Sequence, residues 1–275
     1  MIIDSHQHFW YYKPEKHGWI DDNMSVIRRD FTPSDLKTVY KENGIDGCVA
    51  VQADQTLAET EFLLSLSAKN DFIKGVVGWV DLQDEQVADV LEEYGRHNKI
   101  KGFRHIVQGE ADHNFVLRPK FMRGISALEK HQFTYDILVF PHQLGSTLEF
   151  VRKFPNQKFV IDHIAKPYIK DGFFDGWASM MTEIGKHENV SCKLSGMITE
   201  ADFKTWTAAQ LEPYMQVVLK AFGSYRLLFG SDWPVCLVAG NYKQVKDLIT
   251  DFIASLSATE QADIMGQNAI KFYNL

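Results

Sequence analysis

Short apolar runs rich in β-branched residues alternate with longer amphipathic segments along the chain. There are eight such runs, and each has the length and composition of a buried strand. They cover residues 1–7, 47–53, 73–80, 100–107, 134–140, 158–163, 190–195 and 226–232. Alternating strands and helices predict parallel strands joined by crossovers, and eight such units are the number that closes a (β/α)8 TIM barrel of the α/β class.

Signals for helix starts support this alternation. Thr32 followed by Pro33 predicts a helix N-terminus, with threonine as the cap and proline in the first turn. The segment from Thr56 to Glu59 has the spacing of a capping box. Further helices are predicted near residues 84–97, 118–130, 143–154, 175–187, 206–222, 241–255 and 258–273. A doubly wound open sheet is the alternative, although no glycine-rich phosphate-binding motif follows the first strand.

The chain length fits one large barrel. Barrels of about 250 residues are routinely single domains, so we expect residues 1–275 to form a single barrel domain. One irregular segment interrupts the alternation, a polar and aromatic insertion at about residues 9–31. No apolar stretch reaches the ~20 residues of a membrane helix, which predicts a protein that does not enter a membrane.

Net charge and cysteine content limit the possible binding partners and the cellular setting of the protein. The formal net charge of −7 argues against nucleic acid as a partner, because a phosphate backbone selects a basic surface. The three cysteines, Cys48, Cys192 and Cys236, are scattered and odd in number, so we expect a reducing, cytoplasmic setting. Self-association into a homo-oligomer is left open by these observations.

Two histidines stand one residue apart at the end of the first predicted strand. Side chains at alternate strand positions share a face, so His6 and His8 point to the same side. Imidazole is a common ligand of zinc and similar metals. Taken alone, the pair is more often two polar residues in a solvated turn than a metal site, and other partners are needed to favour the metal site.

The remaining strand ends supply those partners. Because active sites of such barrels lie at the C-terminal ends of the strands, polar residues there are functional candidates. The candidates are Arg104, His105, His142, His163, Lys193, Asp232 and Trp233. Each has a structural alternative, since Asp232 could cap a helix and His163 could be a satisfied core histidine. Their joint occurrence at one end favours function.

The first and last strands meet where the barrel closes, which brings His6 and His8 beside Asp232. Two neutral nitrogens and a carboxylate suit one Zn²⁺ or Mn²⁺ with a position open for water. Asp232 could instead be the general base on that water. The pattern therefore predicts a hydrolytic centre, with the exact role of Asp232 open.

Four motifs carry a family resemblance that extends over essentially the whole chain. They are the HxH of His6 and His8, DHxxKP at residues 162–167, CKLSG at residues 192–196 and GSDWP at residues 230–234. Together they resemble the amidohydrolase superfamily, and in particular its branch of sugar-acid lactonases.

The resemblance implies an enzyme that opens a lactone by attack of activated water on the carbonyl carbon. It implies His6, His8 and Asp232 as metal ligands, with Asp232 and His163 catalytic and His163 a ligand or carbonyl polariser. One divalent metal, zinc or manganese, is implied, while some relatives are thought to work with none, so metal-independent activity stays open. Arg104 at the end of strand four and apolar Phe140 after strand five depart from the two-metal pattern.

The substrate implied is a small sugar lactone such as L-fuconolactone, L-rhamnonolactone or galactonolactone. Side chains assigned to its binding are Arg104, His105, His142, Lys193, Trp19 and Trp233. A neutral aldonolactone is favoured over a dicarboxylate lactone, because only one arginine lies at a strand end. The alternatives are a metal-dependent decarboxylase on the same scaffold and a non-catalytic protein that binds sugar acids.

Overall fold

A computed structural model describes all residues, 1–275, and contains one sheet of eight parallel strands in consecutive order. The strands are β1 (Ile3–Gln7), β2 (Gly47–Val51), β3 (Ile73–Gly78), β4 (Ile100–His105), β5 (Thr134–Ile137), β6 (Phe159–Ile161), β7 (Val190–Leu194) and β8 (Leu227–Phe229). All eight predicted strands are present. The predicted (β/α)8 barrel is confirmed, and every strand after β1 ends one to three residues earlier than predicted.

The barrel closes between β1 and the segment after β8. The backbone N–H of His8 donates to the carbonyl of Trp233 (2.7 Å), and that of Asp232 donates to the carbonyl of His6 (2.8 Å). The hydroxyl of Ser5 also donates to the carbonyl of Phe229 (2.7 Å). These bonds across the seam bring the HxH motif against Asp232.

Helices alternate with the strands and form the outer layer. They are α1 (Pro33–Asn43), α2 (Leu57–Ser67), α3 (Val87–Tyr94), α4 (Pro119–Lys130), α5 (Leu144–Lys153), α6 (Asp175–Gly185), α7 (Ala208–Phe222), α8 (Tyr242–Phe252), α9 (Ala258–Ala262) and α10 (Asn268–Tyr273). A π-helical turn at Asp263–Gln267 separates the last two, so the long final helix predicted over 258–273 is interrupted. No helix has the length and apolar character required to cross a membrane.

The two helix-start predictions have different outcomes. Pro33 opens α1, and the carboxylate of Asp35 accepts from the backbone N–H of Thr32 (2.8 Å). The capping box at the start of α2 is only half formed: the hydroxyl of Thr56 accepts from the N–H of Glu59 (3.2 Å). The side chain of Glu59 turns away from the helix and accepts from the N–H of Ala53 (3.0 Å), two residues beyond the end of β2.

Apolar side chains form two groups on opposite faces of the strands. The larger group of 66 residues includes Cys48 and Ala50 and lies between the strands and the helices. The smaller group of eight includes Val49 and Val51, which alternate with them and therefore point into the barrel. Tyr273 of α10 belongs to this inner group, so the last helix closes the N-terminal end of the barrel.

The insertion after β1 folds over the opposite end. Trp10 and Phe31 pair through two backbone hydrogen bonds (3.0 and 2.9 Å), which tie the ends of the insertion together. A 3₁₀ helix at Asp22–Ile27 lies between them. Trp10 is buried, and Trp19 remains partly exposed above the strand ends.

Candidate active site

Three imidazoles and one carboxylate converge at the C-terminal end of the barrel. Nε2 of His6 lies 3.2 Å from Nε2 of His8, and Oδ1 of Asp232 lies 3.3 Å from Nε2 of His8. The same carboxylate oxygen is 3.8 Å from Nε2 of His6 and 3.8 Å from Nε2 of His163. All four side chains are nearly or fully buried.

The outer nitrogens of two imidazoles are held by neighbouring strands. Nδ1 of His8 lies 2.8 Å from the carbonyl oxygen of Val51, which can only accept, so Nδ1 carries the proton and Nε2 is free. Nδ1 of His163 lies 2.9 Å from the hydroxyl of Ser195. Gly196 makes room for that ring, because a Cβ there would lie 2.6 Å from Nδ1 of His163.

Burial and mutual contacts set the protonation states of the site. Desolvation lowers the pKa of His6 and of His163 well below the usual value, so both rings are neutral at neutral pH. Burial alone would raise the pKa of Asp232, but the nearby His163 and His8 outweigh it and lower that pKa. The site therefore combines the neutral imidazoles of His6 and His163 with an ionised carboxylate.

This donor set fits a single divalent metal. Metal–ligand distances of about 2.0–2.1 Å in a tetrahedral site place ligand atoms about 3.4 Å apart, close to the separations among His6, His8 and Asp232. His163 faces the same carboxylate from the other side. Imidazole nitrogens with one carboxylate suit zinc and related ions, and the fixed Nδ1–H of His8 is the outer contact expected of a histidine ligand.

Two of the converging residues have strained backbone conformations. His163 and Asp232 have φ of 53° and 55°, and the run His163–Lys166 stays in the left-handed region throughout. Such conformations cost about 1–3 kcal/mol each for residues other than glycine and persist where the surroundings enforce them. At both positions the chain has just left a strand, which aims the side chain across the barrel mouth.

A cavity of about 450 Å³ opens above these groups. Of the residues predicted from the sequence, His8, His163, Asp232, Arg104 and Trp19 line it. Other wall residues are Met24, Ala53, Ile106, Gln108, Gly109, Leu138, Phe140, Lys166, Thr199, Glu200, Phe203, Val235 and Val238. The volume and the mixture of apolar and polar walls are those of a small-molecule site.

Four predicted substrate-binding residues do not line the cavity. Nε2 of His105 contacts Glu110 (2.6 Å), and its ring stacks on Phe115. His142 lies exposed, with Nδ1 2.9 Å from the hydroxyl of Tyr168. Lys193 is fully buried below the site, and Trp233 packs edge-on against Phe9 and Phe31. Position at a strand end indicates the height of a side chain in the barrel only approximately. None of these four side chains lies on the wall of this cavity.

The cavity wall contains an ion pair that the sequence did not single out. Lys166 and Glu200 contact each other through their charged atoms, and both side chains are mostly buried. The ammonium of Lys166 also lies 5.9 Å from the ring centre of Phe140. Lys166 stands within the DHxxKP motif, which was a usable signal, whereas nothing in the sequence around Glu200 indicated a role.

A buried carboxylate on the outer face of β1 holds the loop that carries Asp232. Asp4 accepts hydrogen bonds from the N–H and hydroxyl of Ser231 (2.9 and 2.6 Å). The hydroxyls of Tyr40 and Tyr242 donate to it as well, each at 3.0 Å. Since Ser231 precedes Asp232, this cluster fixes the loop that carries the site carboxylate.

Proteins of known name resemble this chain over its full length. An L-fucono-1,5-lactonase from Burkholderia multivorans is 38% identical over 286 residues, covering 100% of this chain and 96% of that protein. An L-fucono-1,5-lactonase from Burkholderia ambifaria is 36% identical over 284 residues, covering 99% and 95%.

Solved structures give the same result. An amidohydrolase from Burkholderia multivorans with bound zinc superposes with a TM-score of 0.96 at 38% identity, covering 100% of this chain and 99% of the other. A 2,6-dihydroxybenzoate decarboxylase from Rhizobium shares the fold, with a TM-score of 0.70 at 13% identity and 99% and 98% coverage. The amidohydrolase family model matches residues 3–275. The resemblance found in the sequence motifs is thus confirmed, and the chain belongs to the amidohydrolase family.

Proposed function

We propose that this protein is a hydrolase that opens a sugar-acid lactone by attack of water on the lactone carbonyl. The observation that carries the proposal is an ionised carboxylate, Asp232, set among three imidazoles at the floor of a sugar-sized cavity. The lactonase names of the full-length relatives support the same reaction.

Asp232 acts as the general base. Its carboxylate faces the cavity and has a lowered pKa, so it is ready to accept a proton from water at neutral pH. The water oxygen bonds to the carbonyl carbon, and the bond from that carbon to the ring oxygen breaks. The ring oxygen leaves as an alkoxide and takes the proton back from Asp232, which yields the open hydroxy acid.

Positive and polar groups stabilise the negative charge that develops on the carbonyl oxygen. Arg104 lines the cavity, and its Nη1 lies 3.3 Å from Nε2 of His6. His163 supplies Nε2 as a donor when its Nδ1 accepts from Ser195. A divalent metal, zinc or manganese, would be held by His6, His8 and Asp232, with His163 as a further ligand only when its Nε2 carries no proton, and would lower the pKa of water and polarise the carbonyl.

The cavity favours a neutral aldonolactone such as L-fuconolactone, L-rhamnonolactone or galactonolactone. Trp19 provides an aromatic wall for a sugar ring, while Lys166 and Glu200 offer a donor and an acceptor for hydroxyls. The cationic wall residues are Arg104 and Lys166, and both already contact carboxylates. A dicarboxylate lactone would need further free cations, so it fits less well.

A decarboxylase on the same scaffold is the competing activity. Its support is limited to the shared fold of a solved decarboxylase. A decarboxylase releases CO₂ and consumes a proton, whereas a lactonase releases an acid, so the two reactions have opposite signatures in unbuffered solution.

A pH-indicator assay of the purified protein on a panel of aldonolactones tests the proposal. It is run on the protein as isolated and after verified metal removal, with spontaneous ring opening subtracted. We expect acid release well above the spontaneous rate, and its persistence without metal would assign activation of water to Asp232. No acid release across the panel, with metal verified as bound in a parallel sample, would contradict the proposal.

A further inference from the structure

Directly beneath the imidazoles, the barrel interior contains a row of charged and polar side chains that the proposed reaction does not use. Lys193 of β7 is at its centre, with Asp136 of β5 on one side and Asp162 after β6 on the other. All three are completely buried. Charges in such surroundings are strongly unfavourable unless they are paired, so this row is a built feature of the interior.

The ammonium of Lys193 connects this row to the site. Its Nζ lies 2.5 Å from Oδ2 of Asp136 and 2.9 Å from Oδ1 of Asp162. It is also 3.1 Å from Nδ1 of His6. The ammonium therefore contacts two carboxylates and the rear of a site imidazole at once.

The far end of the row is held by the last helix of the chain. The hydroxyl of Tyr273 in α10 donates to Oδ2 of Asp136 (2.8 Å), the oxygen that Lys193 also contacts. Tyr273 otherwise packs among the apolar side chains that fill the N-terminal end of the barrel. A residue near the C-terminus of the sequence thus lies three contacts from His6.

The near end of the row fixes Asp162 against His6. Oδ1 of Asp162 lies 3.2 Å from Nδ1 of His6, and Oδ2 accepts from Arg104 (2.9 Å). Arg104 is itself held by the backbone carbonyl and the side-chain oxygen of Gln52 (2.5 and 2.9 Å). Asp162 is therefore oriented by two cations, one from each side.

We propose that Tyr273, Asp136 and Lys193 are positioning residues that hold the Asp162 carboxylate against Nδ1 of His6, so that Nε2 of His6 points into the site. This proposal rests on the proposed function for its kinetic consequence. Groups packed against the outer nitrogen fix the rotation of an imidazole and so the direction of its other nitrogen. Loss of such an outer contact typically reduces activity 10–100-fold.

The test is Tyr273→Phe, which removes one hydroxyl and keeps the ring that fills the barrel end. Tyr135→Phe is the matched control: Tyr135 precedes Asp136 in β5, is fully buried, and its hydroxyl has no hydrogen-bond partner. We expect kcat on the preferred lactone to fall about 3–10-fold in Tyr273→Phe with KM within about twofold of wild type. Tyr135→Phe should match wild type.

Asp136→Asn is the stronger variant, because it removes the charge that balances Lys193. It should lower kcat about 10–100-fold. If this variant does not fold, Tyr273→Phe still decides the matter. A loss of thermal stability in Tyr273→Phe without any change in kcat would overturn the proposal and leave Tyr273 as a packing residue.

A second measurement does not depend on turnover. In metal-free protein with ¹⁵N-labelled histidine, the imidazole NMR signals of His6 should shift in Tyr273→Phe and stay in place in Tyr135→Phe. Unmoved His6 signals in Tyr273→Phe would overturn the positioning role. If wild type opens no lactone, the proposed function fails, whereas a shift of the His6 signals confined to Tyr273→Phe would still support positioning.

Discussion

The cavity floor and the row beneath it are both rich in titratable groups but differ in how those groups are used. On the floor, Asp232 and His8 direct atoms toward an open cavity. In the row, the charged atoms of Lys193 contact Asp136 and Asp162, with no access to solvent. The groups on the floor are free to exchange protons and bind ligands, whereas the charged groups of the row are paired with one another.

The backbone follows the same division. Asp232 and His163 lie just past strand ends in left-handed conformations. Asp136 and Lys193 lie inside regular strands with ordinary parallel pairing. Of these four residues, only the two that face the cavity have strained backbones, and the two beneath them belong to the regular part of the barrel.

The largest effect should come from the floor. Asp232→Asn keeps the shape of the side chain but removes the general base, so kcat should fall by about 10³-fold or more while the thermal midpoint changes little. Steady-state kinetics and thermal unfolding measure the two quantities. The exposed Asp171→Asn is the control and should match wild type. Retained activity in Asp232→Asn would show that this carboxylate is not the general base.

The next effect should come from the row, and it should appear in stability. Lys193→Met leaves two buried carboxylates without their shared cation, so the free energy of unfolding should drop by about 3–5 kcal/mol. Urea unfolding measures it. Lys153→Met, which breaks a surface ion pair with Glu149, should cost at most about 1 kcal/mol. Equal losses in the two variants would show that the row is not a stabilised unit.

The sequence predicted the floor better than the row. His6, His8 and Asp232 were found because a motif and the barrel seam place them together. Lys193 was assigned to the substrate, because strand position indicates which end of the barrel a residue approaches but not its depth. Asp136 gave no signal, since it lies within the apolar run at residues 134–140.

Element boundaries show a related limit. β6 ends at Ile161 and β8 at Phe229, earlier than their apolar runs suggest. The residues that follow leave the ladder and adopt left-handed conformations that local propensity does not favour. These departures coincide with His163 and Asp232, which indicates that cross-barrel contacts override local preference at the site.

Glu59 provides a buried carboxylate that, unlike Asp162, contacts no cation. Burial raises its pKa from about 4.5 to about 7. The folded state therefore holds a proton that the unfolded state releases, and the free energy of unfolding falls as pH rises through this interval. Glu59→Gln should be more stable than wild type at about pH 8, by up to about 3 kcal/mol, and should show less gain at about pH 5.

Urea unfolding of Glu59→Gln at both pH values measures this difference. The exposed Glu42→Gln serves as the control and should leave the pH dependence as it is in wild type. The prediction would be wrong if the free energy of unfolding of wild type rose between pH 5 and 8 and Glu59→Gln removed that rise.

The smallest effect should arise at the aromatic wall. Trp19→Ala removes apolar surface from the cavity without touching the floor, so KM for the lactone should rise about 3–10-fold with kcat nearly unchanged. Tyr11 lies in the same insertion but packs on Phe62 away from the cavity wall, so Tyr11→Ala is the matched control. A fall in kcat with constant KM in Trp19→Ala would move Trp19 from binding to catalysis.

The most direct test of the central claim is a crystal structure of Asp232→Asn with an aldonolactone bound. We expect the lactone carbonyl carbon over the substituted side chain, the carbonyl oxygen toward Arg104 or His163, and the ring hydroxyls toward Lys166 and Glu200. A lactone bound in this cavity with its carbonyl directed away from residue 232 would contradict the assignment of the floor as the reacting centre.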